Sequence, residues 1–239
     1  MITLPIGLVI VAIVMYFATH GVELSHFLNF HSFVIVIVGT AAAVALSAPL
    51  ETISGLIKAT LKMGKSITPK KTITDTLYAL VENRNTPVDV KIHPLINMAK
   101  DMWEQGIEQE LFEELMEQRL EDMKAKSEEP VSLLRNLAKY PPALGMMGTV
   151  MGMVSLFANL NSDNKGNIGA DLALAMTATF YGLLLANLFI TPLSDRLFVQ
   201  HLYEMKINEM VFNTLLFINR NEPLSVIENI DEENATNAA

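Results

Sequence analysis

The chain has 239 residues, a formal net charge of −9, about half its residues hydrophobic and no cysteine. Without cysteine there is neither a disulfide framework nor a thiolate metal site, and an acidic chain with no basic stripe is a poor nucleic-acid binder. The mean hydropathy is +0.32. Its apolar residues collect in four blocks, the pattern of a polytopic membrane protein.

The first block, "ITLPIGLVIVAIVMYFATHG", has no Lys or Arg before it and so lacks the basic start of a secretory signal. It is predicted to remain as a first span over about 3–20. The second span is predicted over 30–50, the third over 140–160 and the fourth over 169–192. Each has the length needed for about 30 Å of hydrocarbon. Of the 17 Lys and Arg, 13 lie between the second and third spans and three follow the fourth, while Lys165 alone sits between the third and fourth. This bias predicts that both termini and the long middle segment are cytoplasmic.

The expected fold is therefore all-α: four transmembrane helices with a helical cytoplasmic lobe between the second and third. The expected divisions are 1–50 (two spans), 51–139 (lobe), 140–193 (two spans) and 194–239 (cytoplasmic helix and tail). Within the lobe, short helices are predicted over 72–83 and 95–106, separated by a loop containing Pro87. A long amphipathic helix over 108–127, with an apolar face carrying Ile107, Leu111, Leu115 and Met116, is expected to run on past Pro130. A further helix is predicted over 196–219, with a frayed end beyond it.

The third and fourth spans carry unusually small residues. Gly145, Gly148 and Gly152 share one face of the third, with Thr149 on the same side; Ala175, Thr179, Gly182 and Ala186 share one face of the fourth. Lipid offers no hydrophobic reward for helix contact, so membrane helices meet through small residues that bring backbones close. Two readings stay open: plain helix packing with each threonine bonded to its own i−4 carbonyl, or two stripes facing a central helix or narrow wet path. Pro141, Pro142 and Pro192 lie at the cytoplasmic ends of these spans. The spans hold almost no ionisable group. Asp171 lies at the start of the fourth, where it is expected to cap the helix. His20, His26 and His31 are expected at the outer membrane surface. An ion-driven machine needs a carrier group at depth, so either this chain is not ion-driven or another polypeptide brings the carboxylate.

The runs "PPALGMMGTVMGMVSLFANL" and "AMTATFYGLLLANLFITPLSDRL" resemble the core of the flagellar stator A subunits, the MotA/PomA group of the MotA/TolQ/ExbB family. The shared pattern is "P-A-x-G-x-x-G-T" with "T-F-Y-G-x-L-x-A-N-x-x-x-x-P". The resemblance is strong over 137–197 and weaker elsewhere. It implies an ion-conducting subunit, not an enzyme, that couples cation flow to torque for flagellar motility from the bacterial inner membrane. It also implies a homopentameric ring around two copies of a single-span B subunit. That subunit would carry a transmembrane aspartate and a peptidoglycan-binding domain, and the ring's cytoplasmic lobe would push the rotor protein of the flagellar switch.

By this resemblance Thr149, Thr179 and Pro142 lie on the ion path. Gly145, Gly148, Gly152, Ala175, Gly182 and Ala186 would receive the partner helix, and Pro141 and Pro192 would act as hinge or coupling residues. No cofactor or metal is implied, and a threonine at 149 favours Na+ over H+. The family's charged "R-x-x-G-x-x-A-L-E"-like stretch is absent here; Glu82 and Arg84 are the nearest rotor-contact candidates, and a solvated helix end is the competing reading. A TolQ/ExbB-like energiser, a non-flagellar motor of the same family or a passive scaffold are the other functions this sequence allows.

Overall fold

The computed structural model describes residues 7, 9, 10, 13, 16, 27–62, 70–84, 86–89, 92–160 and 168–220. Every element among them is helical: α1 (Phe30–Ser47), α2 (Leu50–Lys62), α3 (Lys70–Glu82), α4 (Pro94–Glu104), α5 (Gln109–Leu137), α6 (Tyr140–Leu160), α7 (Ile168–Leu184), a π-helical turn (Leu185–Ile190) and α8 (Thr191–Arg220). The protein is all-α. Three of the described helical stretches are long and apolar enough to cross a membrane, and they contain α1, α6 and α7. Most of the expected first span, His20, His26, the 161–167 loop and the tail beyond Arg220 lie outside the described residues.

Local chemistry sets the helix ends. Asn29 caps α1 by accepting from the Ser32 N–H at 3.2 Å. The helix stops at Ala48, which is extended because the following Pro49 excludes the helical region. What was expected as a span to residue 50 is thus a helix to Ser47 and a separate α2. At α4, Pro94 occupies the first turn, and the N-cap His93 accepts the Leu95 N–H on Nδ1. Gly106, at φ 65°, ends it in a Schellman motif, with Ile107 N–H on the Met102 carbonyl and Gly106 N–H on that of Trp103.

The described chain divides into two compact units, 1–64 with 129–198 and 65–128 with 199–239. α5 and α8 each contribute residues to both units. The first unit holds α1, α2, α6 and α7. Leu56 of α2, Val131 and Leu134 of α5, Ile190 and Leu197 form one of its buried clusters. The second unit packs Ile73, Leu77 and Leu80 of α3 and Leu95, Ile96 and Ala99 of α4 against Phe112 and Met116 of α5. Val211, Leu215 and Ile218 of α8 close the cluster. The buried face of α5 is thus set by Phe112 and Met116, with Leu115 at its edge; Ile107, just before the helix, packs on the same cluster, and Leu111, expected inside, is exposed.

The second unit is tied by polar contacts at one end of α8. Arg220 makes a bidentate pair with Glu113, which with the Gln109 amide holds the Glu113 carboxyl down at about 2. Trp103 donates to Asn219 Oδ1 at 2.9 Å and stacks on Phe112. The buried His93 pairs through Nε2 with Asn208 Oδ1 at 2.9 Å. Burial pushes the His93 imidazole below its ordinary value, the Asn208 bond opposing this in part.

A lowered histidine pKa favours the neutral ring in the folded state. Stability from this group is therefore complete above the unfolded value of about 6.5 and is lost as pH falls below it towards the folded value. The thermal unfolding temperature of the purified protein in detergent should fall from pH 7.5 to 5.5. His93→Asn, which keeps a capping oxygen, should flatten that slope.

Candidate functional site at the α6–α7 seam

In the first unit α6 and α7 form the most intimate helix pair, and α1 packs on both. The seam is built from missing side chains. A Cβ added at Gly182 would lie 2.4 Å from the Pro141 carbonyl oxygen, and one at Gly145 would lie 2.9 Å from that of Ala178. At Gly148 it would lie 2.4 Å from the Ala178 Cβ, and at Gly152 2.8 Å from that of Ala175. The small residues therefore touch each other within one chain. Gly145, Gly148, Gly152, Ala175 and Gly182 are buried there, and Ala186 is buried in the π-helical turn. The sequence expectation gave these six to a partner helix; in the chain their small surfaces are already covered.

Such close approach brings two hydroxyls together. Thr149 Oγ1 lies 2.5 Å from Thr179 Oγ1, 3.1 Å from the Gly145 carbonyl and 3.2 Å from that of Ala175. Thr179 Oγ1 is 3.3 Å from the Gly145 carbonyl. Four oxygens thus share two hydroxyl protons, which leaves acceptor lone pairs free. Thr149 makes the i−4 backbone contact of the plain packing reading and meets Thr179 as well. Both side chains are half-buried.

The prolines sit apart from this cluster. Pro141 and Pro142 occupy the first turn of α6, where an N–H would have no intrahelical acceptor, so they cost the helix no bond. Pro141 is buried against Gly182, whereas Pro142 lies seven residues from Thr149, roughly 10 Å along the axis. Pro192 follows the π-helical turn, whose closing bond runs from the Thr191 N–H to the Ala186 carbonyl. Widening the turn just before a residue that cannot donate lets the chain continue as α8.

Sequence reasoning missed the rest of the polar seam. Ser32 of α1 pairs with Thr177 at 2.6 Å and reaches the Leu174 carbonyl at 3.0 Å. Tyr181 donates to the Phe27 carbonyl at 2.5 Å. Asp171 accepts from Ser155 Oγ and Asn159 Nδ2, each at 2.7 Å, instead of capping its own helix. A lone hydroxyl in an apolar run was the only available signal for Ser32 and Thr177. Of the rotor-contact candidates, Glu82 is exposed at the end of α3. Arg84 instead donates to the Ile218 carbonyl and lies 5.5 Å over the Trp103 ring, at the carbonyl-rich end of α8.

Residues 88–210 match the MotA/TolQ/ExbB proton channel family. The chain belongs to this family. It is 30% identical over 212 residues to Motility protein A of Cereibacter sphaeroides, covering 84% of this chain and 82% of that protein. It is 29% identical over 216 residues to Motility protein A of Treponema phagedenis, covering 87% and 83%. In fold it resembles the C. jejuni MotAB structure with a TM-score of 0.77 at 18% identity, over 95% of this chain and 92% of that one. Membership places the seam in a channel family rather than an enzyme family.

The seam geometry predicts a steep asymmetry among glycines. Gly182→Ala drives a methyl into a backbone carbonyl and should destabilise the protein by about 1–3 kcal/mol, in the range of overpacking. Gly55→Ala in α2 meets nothing within 4 Å and should be neutral or stabilising by up to about 1 kcal/mol. Yield and thermal stability of the two variants in the same detergent compare them directly.

Proposed function

We propose that this chain is the ring-forming subunit of an ion-driven flagellar stator, converting cation flow down a transmembrane gradient into torque. In this reading it lies in the bacterial inner membrane with both termini cytoplasmic. It forms a pentamer around two copies of a single-span partner carrying a transmembrane aspartate and a peptidoglycan-binding domain, and its lobe acts on the flagellar rotor through a surface that includes Glu82.

The observation that carries this reading is the Thr149–Thr179 pair. It is an oxygen cluster within apolar helices, and among the described residues of α1, α6 and α7 the one carboxylate is Asp171. Asp171 is eight residues from Thr179, roughly 12 Å along the axis. A carrier carboxylate meeting these hydroxyls must come from a second polypeptide. Motility proteins matching more than four fifths of this chain favour a stator over an envelope energiser. Hydroxyl and carbonyl oxygens suit a partly dehydrated cation, and we assign Na+ as the coupling ion. One charge crossing about 100 mV yields about 2.3 kcal/mol, so work requires several ions in sequence.

Thr149→Ala should leave the protein assembled with its partner yet slow rotation about tenfold, the equivalent of about 1.4 kcal/mol. Thr149→Ser, which keeps the hydroxyl, should stay within about twofold of the wild type on the same scale. Swimming speed and pull-down with the single-span partner are the two readouts. Normal speed in the alanine variant would remove the site, and speed independent of external sodium but dependent on pH would reassign the ion to H+.

A further inference from the structure

Resting on that stator reading, we infer that Asp171 is a capture residue of the conduction path: a fixed negative charge that concentrates the permeant monovalent cation at the end of the α6–α7 pair where α6 stops and α7 begins. It is the only carboxylate in either helix. Ser155 and Asn159 continue the Gly145–Gly148–Gly152 stripe at helical spacing, so the seam that begins with backbone contact ends in a polar clamp around one acid. Both carboxylate oxygens are held at 2.7 Å, and both partners are neutral. The side chain is half-exposed, so its field reaches water.

A clamp alone does not need the charge. An amide at 171 fits the same space: its oxygen can accept from the Ser155 hydroxyl, and its NH2 can donate to the Asn159 side-chain oxygen once that amide turns over. Holding a carboxylate against an apolar slab with neutral donors carries a desolvation cost that an amide would avoid. The charge has a use if it acts on an ion. Acid at the mouth of a low-dielectric path raises the local cation concentration over that of bulk water. The same effect must weaken as inert salt screens it.

The experiment uses the full chain co-expressed with its single-span partner in swimming cells. Rotation speed is titrated with sodium chloride at fixed pH, and separately with pH at fixed sodium, in choline chloride backgrounds of low and high ionic strength. Asp171→Asn should raise the cation concentration for half-maximal speed about three- to tenfold with maximal speed kept, and the gap should close at high choline chloride. Ser155→Ala, which loosens the clamp but keeps the charge, should shift it less than twofold. In the wild type alone, the half-maximal concentration should rise with choline chloride. An Asp171→Asn curve that overlays the wild type, an equal shift in Ser155→Ala, or a wild type indifferent to ionic strength would each overturn the assignment. Wild-type rotation that follows neither sodium nor pH would overturn the stator reading, and this inference with it.

Discussion

Direct backbone contact between α6 and α7 is the constraint on which the membrane part of this protein depends. Gly182 lies against the Pro141 carbonyl and Gly145 against that of Ala178, with no room for a methyl at either place. Only at this separation can the short threonine side chains at 149 and 179 come within 2.5 Å of each other. The hydroxyl cluster is thus a consequence of the glycine seam: widen the seam and the oxygens part.

The same closeness has a second effect. Because the small faces are spent on each other, the large side chains of α6 turn outward. Met146, Met147, Val150, Met151, Val154 and Phe157 are all exposed in the single chain. An apolar face of this extent belongs against lipid or another helix. Thr149 and Thr179 are half-buried, so part of each side chain stays accessible in the single chain while its contacts in the seam are kept.

In the second unit, stability comes from ordinary apolar burial plus ties at one end of α8. Arg84, Trp103, Asn219, Glu113 and Arg220 gather there. Arg84 serves this anchor, which leaves Glu82 as the outward-facing charge of the pair.

Composition and periodicity alone determined that the chain is helical, where three of its spans lie and that two carry small-residue stripes with a hydroxyl each. These are properties of one helix at a time, and the 3.6-residue period reports them faithfully. The break after Ser47 was also written locally, in Pro49, although the apolar run hid it. What faces what was decided only by tertiary structure. Whether a glycine stripe meets a foreign helix or a neighbour in its own chain depends on how two distant segments pair, and no local pattern encodes that. The same holds for Asp171, which sits where a helix cap is expected but bonds Ser155 and Asn159 of another helix. It holds also for Ser32 and Thr177, whose contact spans 145 residues of chain. A side chain's propensity is set by its own backbone, whereas its partner is set by the packing of surfaces brought together only when the chain has folded.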